Sequence, residues 1–273
     1  MLRNITIGSY YQTDSPLHRM DPRVKLVSVL VFLVSLFLFD SFLGYVAVTI
    51  FLCIVITLSR VPLRHVLKGM KVIVFLLLFT AVFNLFFTKG EVVFSWQFIS
   101  ITKQGIRLCA FIALRLIYLV IGSSMLTYTT TPGQLTDAIE SLLGWLNFFK
   151  VPVHDFATMM SLALRFIPIL MMEANKIIYA QKARGARFED GGLIKRIKSY
   201  VSLIVPLFVS ATQRAYELGL AMEARCYNGG RQRTKLNPLR LRVSDLVALG
   251  VVFGYLAVII YIPSIAQMTG IMI

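Results

Sequence analysis

Apolar residues in this chain fall into five long runs, at 24–39, 42–58, 72–87, 106–126 and 246–265. Lys25 and two serines are the only breaks in the first, and Asp40-Ser41 separates it from the second by a very tight turn. Arg115 lies near the middle of the fourth. Each run is close to the roughly 17–25 residues a helix needs to span a bilayer. Lipid offers no partners to open backbone groups, so runs of this kind predict helices. Five crossings are expected.

The stretch between the fourth and fifth runs has a different pattern. Thr130-Thr131-Pro132 reads as a helix cap followed by proline at the first helical position. Leu135, Ala138, Ile139, Leu142, Leu143 and Leu146 then recur at helical spacing, with Asp137, Glu140 and Ser141 on the other face. Lys150-Val151-Pro152 ends that amphipathic helix. A second helix, capped by His154-Asp155, runs to about Arg184 and is kinked by Pro168. A third runs from about Leu193 to Arg225 with Pro206 inside it, bounded by Gly191-Gly192 and Gly229-Gly230. Ser244-Asp245 can cap the last apolar helix. The almost wholly apolar segment 156–172 admits a sixth crossing, but Arg165 and Pro168 at its centre and the charge balance argue against it.

Composition and charge then fix the setting. Of 273 residues, 57% are hydrophobic and 15% charged, against about 25% charged in soluble domains. The mean hydropathy is +0.75. The net charge of +15 is unevenly placed. The N-terminal segment carries Arg3, Arg19, Arg23 and Lys25, and the loop after the second run carries Arg60, Arg64, Lys68 and Lys71. The turn at Asp40 carries none, and the loop after the third run only Lys89 and Lys103. Sixteen Lys and Arg lie between Thr129 and Asp245. The positive-inside rule therefore puts the N-terminus and the long stretch in the cytoplasm and the C-terminus outside. The expected organisation is a four-helix transmembrane bundle over 1–128, cytoplasmic coupling helices over 129–243 and a final transmembrane helix over 244–273. The polar residues 1–23 do not read as a cleaved signal peptide.

Candidate chemistry is sparse. Cys53, Cys109 and Cys226 form no CxxC, and His18, His65 and His154 are dispersed, with no HExxH. A disulfide framework and a metal site are thereby excluded. No GxxxxGK[ST] phosphate loop is present, so the chain is not itself an ATPase of that type. The basic stretch is explained by topology rather than by nucleic acid. A membrane enzyme holding an anionic lipid on His154, Asp155, Arg165 or the basic collar is a rival reading, weakened by the lack of a nucleophile.

One constellation stands out. The second and third long helices end alike, in Ala180-Gln181-Lys182-Ala183-Arg184-Gly185 and Ala221-Met222-Glu223-Ala224-Arg225-Cys226, both Ala-x-x-Ala-Arg and 41 residues apart. Alanines three apart leave a smooth stripe that another surface can approach. An arginine there agrees with the helix dipole, and its planar fork can hold both oxygens of one carboxylate in an acidic groove. Dipole complementarity alone also places basic residues at helix ends. Met159, Met160, Met171 and Met172 suit an adaptable apolar docking surface, and equally fit ordinary core or lipid contact. Arg115, costly at bilayer depth, should find a partner inside the bundle.

The sequence resembles the transmembrane T component of energy-coupling factor (ECF) transporters, the family that includes the cobalt-transport Q component. The resemblance is carried by Tyr10-Tyr11, by Asp14 through Lys25, by Thr127 through Pro132, by Leu164-Arg165-Phe166-Ile167-Pro168, and by the two Ala-Arg helix ends. It implies an all-α polytopic membrane protein with about five transmembrane helices and a coupling module of three long helices. It implies no catalysis by this chain. ATP and magnesium would sit on two partner ABC-type ATPase subunits, in the cytoplasmic membrane of a bacterium or archaeon. Ala183-Arg184-Gly185 and Ala224-Arg225-Cys226 would dock into those ATPases. A membrane-embedded substrate-binding S component would supply vitamin or metal-ion specificity. Cys226 stands where the family commonly has glycine.

Overall fold

A computed structural model describes residues 10–39, 41–87, 91–96, 99–186, 192–227, 229 and 238–268. Among these, nine α-helices follow in order. They are α1 (Pro16–Arg19), α2 (Pro22–Ser35), α3 (Phe42–Ser59), α4 (Leu63–Phe87), α5 (Lys103–Thr129), α6 (Pro132–Leu142), α7 (Val153–Ala183), α8 (Leu193–Ala224) and α9 (Val243–Met268). The expected all-α polytopic class holds. A small antiparallel ribbon, β1 (Val92–Trp96) with β2 (Ile99–Thr102), is added between α4 and α5. It pairs Val92 with Thr102 and Trp96 with Ile99, with an irregularity between Val92 and Phe94. Thr102 ends the ribbon and caps α5, its side chain accepting from the Gly105 N–H at 3.1 Å.

Among the described residues, four helices are long and apolar enough to cross a membrane: Phe42–Ser59, Lys103–Thr129, Val153–Ala183 and Val243–Tyr261. Three of them coincide with expected crossings. The first expected crossing ends early, because α2 has only 14 residues, about 21 Å of rise. The chain turns at Leu36–Phe39, whose Leu36 and Phe39 are buried in the bundle core. In the third expected crossing, Val74–Asn84 stands out as a shorter apolar segment. The fourth qualifying helix is α7, which contains the segment 156–172, outside the expected crossings; its length and composition suffice for one, although its mean hydropathy of 1.4 is the lowest of the four. Asp40 lies outside the described residues.

The chain divides into two compact units. One comprises Gly8–Ala138 with Leu239–Ile273, and the other Ile139–Pro238 with Met1–Ile7. The first holds α1 to α5, the ribbon and α9. Its core joins Phe32, Leu36 and Phe39 to Tyr45, Val48 and Leu52 of α3 and to Tyr255 and Ile259 of α9. Phe51 stacks on Tyr255 at 4.3 Å between ring centroids. Ser35 Oγ donates to the Phe32 carbonyl at 2.7 Å, which leaves it to accept from Tyr255 Oη at 3.0 Å. Gly122 lets α5 approach α2 closely, since a Cβ there would collide with the Phe32 ring.

One end of this unit is fastened by buried polar groups. Tyr11 N–H donates to the Tyr128 carbonyl at 3.0 Å. Lys25, 5% exposed, donates from Nζ to the His18 and Thr129 carbonyls at 3.2 and 2.8 Å. Asp245 accepts from the Asp21 and Arg242 backbone N–H groups at 3.1 and 2.8 Å. It sits in the first turn of α9 and bonds back to Arg242, in place of the expected cap at Ser244-Asp245. A buried carboxylate accepting two backbone N–H groups is stabilised by charge-assisted bonds. The segments Asp14–Lys25 and Thr127–Pro132, singled out separately in the sequence, thus meet here.

Candidate functional site: two arginine-tipped helix ends

The second unit contains the helices whose ends repeat. A capping box opens α6: Gln134 N–H donates to Thr131 Oγ1 at 3.3 Å, and Thr131 N–H donates to Gln134 Oε1 at 3.1 Å. The amphipathic helix expected to run to Lys150-Val151-Pro152 changes at Leu143 into a 3-10 segment, Leu143–Phe149. Gly144 and the aromatic Trp145, Phe148 and Phe149, poor helix formers, favour that change. Lys150, at φ 60°, closes it. His154-Asp155 does not cap α7, whose N-cap is Pro152 without a side-chain bond. His154 turns instead to Glu140, with Nδ1 2.7 Å from Oε1, and ties the start of α7 to α6.

Helix α7 is a continuous 31 residues through Pro168, and α8 a continuous 32 through Pro206. They meet where Arg214 Nη2 reaches Glu173 Oε2 at 3.3 Å. This contact sets their relation. In an antiparallel hairpin, Glu173 would face a residue near 203, at equal distance from the intervening loop. It faces Arg214, 41 positions on, the same offset that separates the two Ala-x-x-Ala-Arg ends. The helices therefore touch at equivalent points of the repeat. From that point each continues eleven residues to its arginine, an arm of about 16 Å.

The two tips are built alike. Arg184 and Arg225 are the C-cap residues of α7 and α8. Beyond the first, Gly185 N–H donates to Lys182 O at 3.0 Å and Ala186 N–H to Gln181 O at 2.9 Å. Beyond the second, Cys226 N–H donates to Glu223 O at 2.8 Å and Tyr227 N–H to Met222 O at 3.0 Å. Both are Schellman closures, which need a left-handed residue just past the cap. Gly185 supplies it at φ 86° and Cys226 at φ 55°. Cys226 thus takes the conformation glycine favours, at a cost of roughly 1–2 kcal/mol for a residue with a Cβ. Ala183, Arg184, Gly185, Ala224, Arg225 and Cys226 are all exposed. The closure bonds carbonyls of the last turn through the backbone, so capping does not require the exposed arginine side chains.

The other expected residues are dispersed. Met159, Met160 and Met172 are exposed and Met171 is half-buried. At about 100° per residue, Met160 and Met171 share a face of α7 while Met159 and Met172 flank it on opposite sides. Arg165 is exposed on the same helix. Arg115 belongs to the first unit, where its Nη2 donates to the Phe39 carbonyl at 3.2 Å and its guanidinium lies 5.4 Å from the Phe37 ring centre. It closes the turn after α2. Among the described residues, no group of three or more His, Cys, Asp or Glu could hold a metal ion. Sequence reasoning expected Glu173 to pair with a surrounding Lys or Arg but did not identify Arg214 as the partner. The matching 41-residue offset was its available signal.

The profile of a family described as "Cobalt transport protein" matches residues 13–236. The chain belongs to this CbiQ family. The Energy-coupling factor transporter transmembrane protein EcfT of Ruminiclostridium cellulolyticum is 46% identical over 260 residues, covering 95% of this chain and 97% of that protein. Its counterpart in Clostridium kluyveri is 48% identical over 250 residues, 91% and 93% of the two chains. The Bacillus subtilis protein of the same name is 43% identical over 240 residues, 88% and 91%. The CbiQ profile spans both helix tips, and the aligned lengths cover nearly whole proteins. This CbiQ-family chain is thus a transmembrane component of a transporter.

Proposed function

We propose that the chain is the coupling subunit of an ECF-type ABC importer, passing the motion of two cytoplasmic ATPase subunits to a membrane-embedded S component that binds a vitamin or a metal ion. The observation that carries this reading is the matched pair of exposed arginine tips, each locked by the same closure and equally far from the Glu173–Arg214 contact. Two equal levers suit a pair of similar receiving surfaces, such as the grooves of an ATPase heterodimer. ATP and magnesium belong to those partners, and hydrolysis changes the spacing of the grooves. The tips follow, and the arms carry the displacement to the apolar parts of α7 and α8. There the exposed Met159, Met160, Tyr200, Phe208 and neighbouring side chains offer the surface that reorients the S component. The names of the curated relatives, which are energy-coupling factor components, support the assignment. The positive-inside argument supports tips in the cytoplasm, with the N-terminus inside and the C-terminus outside.

The test is the double variant Arg184→Ala, Arg225→Ala. Truncating one partner of a buried charged pair costs roughly 2–5 kcal/mol, so co-purification with the ATPases should fall at least tenfold and uptake with it. The amount of chain in the membrane should not change. Full co-purification and uptake by the double variant would overturn the docking assignment.

A further inference from the structure

The first unit contains a feature that coupling does not use. A cavity of about 360 Å³ opens between α1, α2, α3, α5 and α9. Its wall is almost entirely apolar, with Phe32, Phe51, Val55, Met125 and Val251 contributing. Four polar residues interrupt that wall: Lys25, Ser28, Thr129 and Ser244. Lys25 gives two of its N–H donors to the His18 and Thr129 carbonyls, and an ammonium has three. Ser28 Oγ is buried and has no hydrogen-bond partner among the described residues, although a hydroxyl in an apolar setting ordinarily has one.

The charge around the cavity is mixed but positive on balance: Lys25, Arg23, Arg240 and Arg242 outnumber the buried carboxylates Asp21 and Asp245. Ser244 and Val247, in the first turns of α9, form part of the wall, and exposed Arg240 and Arg242 immediately precede them. Arg23 follows Asp21 on the α2 side. Asp245 accepts two backbone N–H groups, whereas Asp21 accepts from Arg23 N–H at 2.9 Å through Oδ1 and keeps a buried Oδ2 without a hydrogen-bond partner among the described residues. An apolar slot with an unsatisfied hydroxyl, a spare ammonium donor and a cationic margin matches an amphiphile with a hydrocarbon chain, an acceptor carbonyl and an anionic head. In a membrane protein, basic pockets between helices are where anionic lipid headgroups bind. A partner's apolar helix would fill the slot and leave the Ser28 hydroxyl and the exposed Arg240 and Arg242 without counterparts.

We propose that this cavity is a binding site for one acyl chain of an anionic phospholipid. Its ester carbonyl accepts from Ser28 and its phosphate is held by Lys25, Arg240 and Arg242. The occupant helps to hold α9 against α2 and α3 at the end where the N-terminal segment is fastened.

The full-length chain is reconstituted in nanodiscs of equal phosphatidylglycerol and phosphatidylcholine with identical chains. It is then released into detergent and weighed by native mass spectrometry. One retained phosphatidylglycerol is expected, preferred over phosphatidylcholine by about tenfold or more, since each nearby arginine contributes about fivefold. Arg240→Gln with Arg242→Gln should bring the two lipids close to parity. Filling the slot with Ala248→Leu, or separately with Val251→Phe, should remove one retained lipid of either kind while helical content is unchanged. The two fillings are independent, so misfolding of one leaves the other decisive. No retained lipid, equal retention of both headgroups by the unaltered chain, or an undiminished lipid count in the folded filled variants would each overturn the proposal.

Discussion

Cys226 shows how much one residue reports about the tips. It occupies a left-handed position at φ 55° that its counterpart Gly185 occupies at φ 86°, and its Cβ makes that conformation costly. Replacing it by glycine should stabilise the end of α8 by about 1 kcal/mol. Amide exchange at the Cys226 and Tyr227 N–H groups should slow about fivefold, and Gly185→Ala should speed exchange at the end of α7 by a similar factor. Unchanged exchange in both would mean that the closures do not set the tips. The repeat that carries these residues was legible, because alanine spacing, a terminal arginine and a following glycine are local signals. Lys25 was not. Among the N-terminal charges it read as a topology marker, yet it is buried and bonded to Thr129, 104 residues away. Nothing in local spacing encodes a partner at that distance.

At the scale of elements, the ends of α7 and α8 were readable to within a residue or two, since glycine and proline punctuate them. The cap of α7 was not. His154 satisfies Glu140 across a turn instead of capping its own helix, and tertiary pairing overrode the local rule. The 3-10 segment Leu143–Phe149 and the ribbon at 92–102 were likewise missed, because short elements leave little periodicity to read. The Glu173–Arg214 contact is where α7 and α8, the proposed levers, meet. Its side chains are 23% and 39% exposed, so it contributes about 1 kcal/mol or less to stability. Its mechanical role should be larger. Arg214→Ala should leave ATPase binding and thermal stability nearly unchanged while reducing uptake several-fold. Exchanging the charges, Glu173→Arg with Arg214→Glu, should recover most of the loss. Uptake unaffected by Arg214→Ala would remove the contact from the account.

For the molecule as a whole, hydropathy gave the class and three of the four helices that can span a bilayer, while the boundary between its two units fell inside α6, at Ala138–Ile139. A composition shift near Thr129 hinted at a division. Its position depends on which side chains pack together, and that is a three-dimensional property. Orientation rests on Lys and Arg placement, and the proposed coupling rests on orientation: the tips must be reachable from the side where the partner ATPases would hydrolyse ATP. Cys226, exposed beside Arg225, is a native probe of both. With Cys53 and Cys109 changed to alanine, an impermeant maleimide should label Cys226 in inside-out vesicles and not in right-side-out ones, and bound ATPases should protect it. Labelling from the outer face, or labelling that bound ATPases do not slow, would contradict the account.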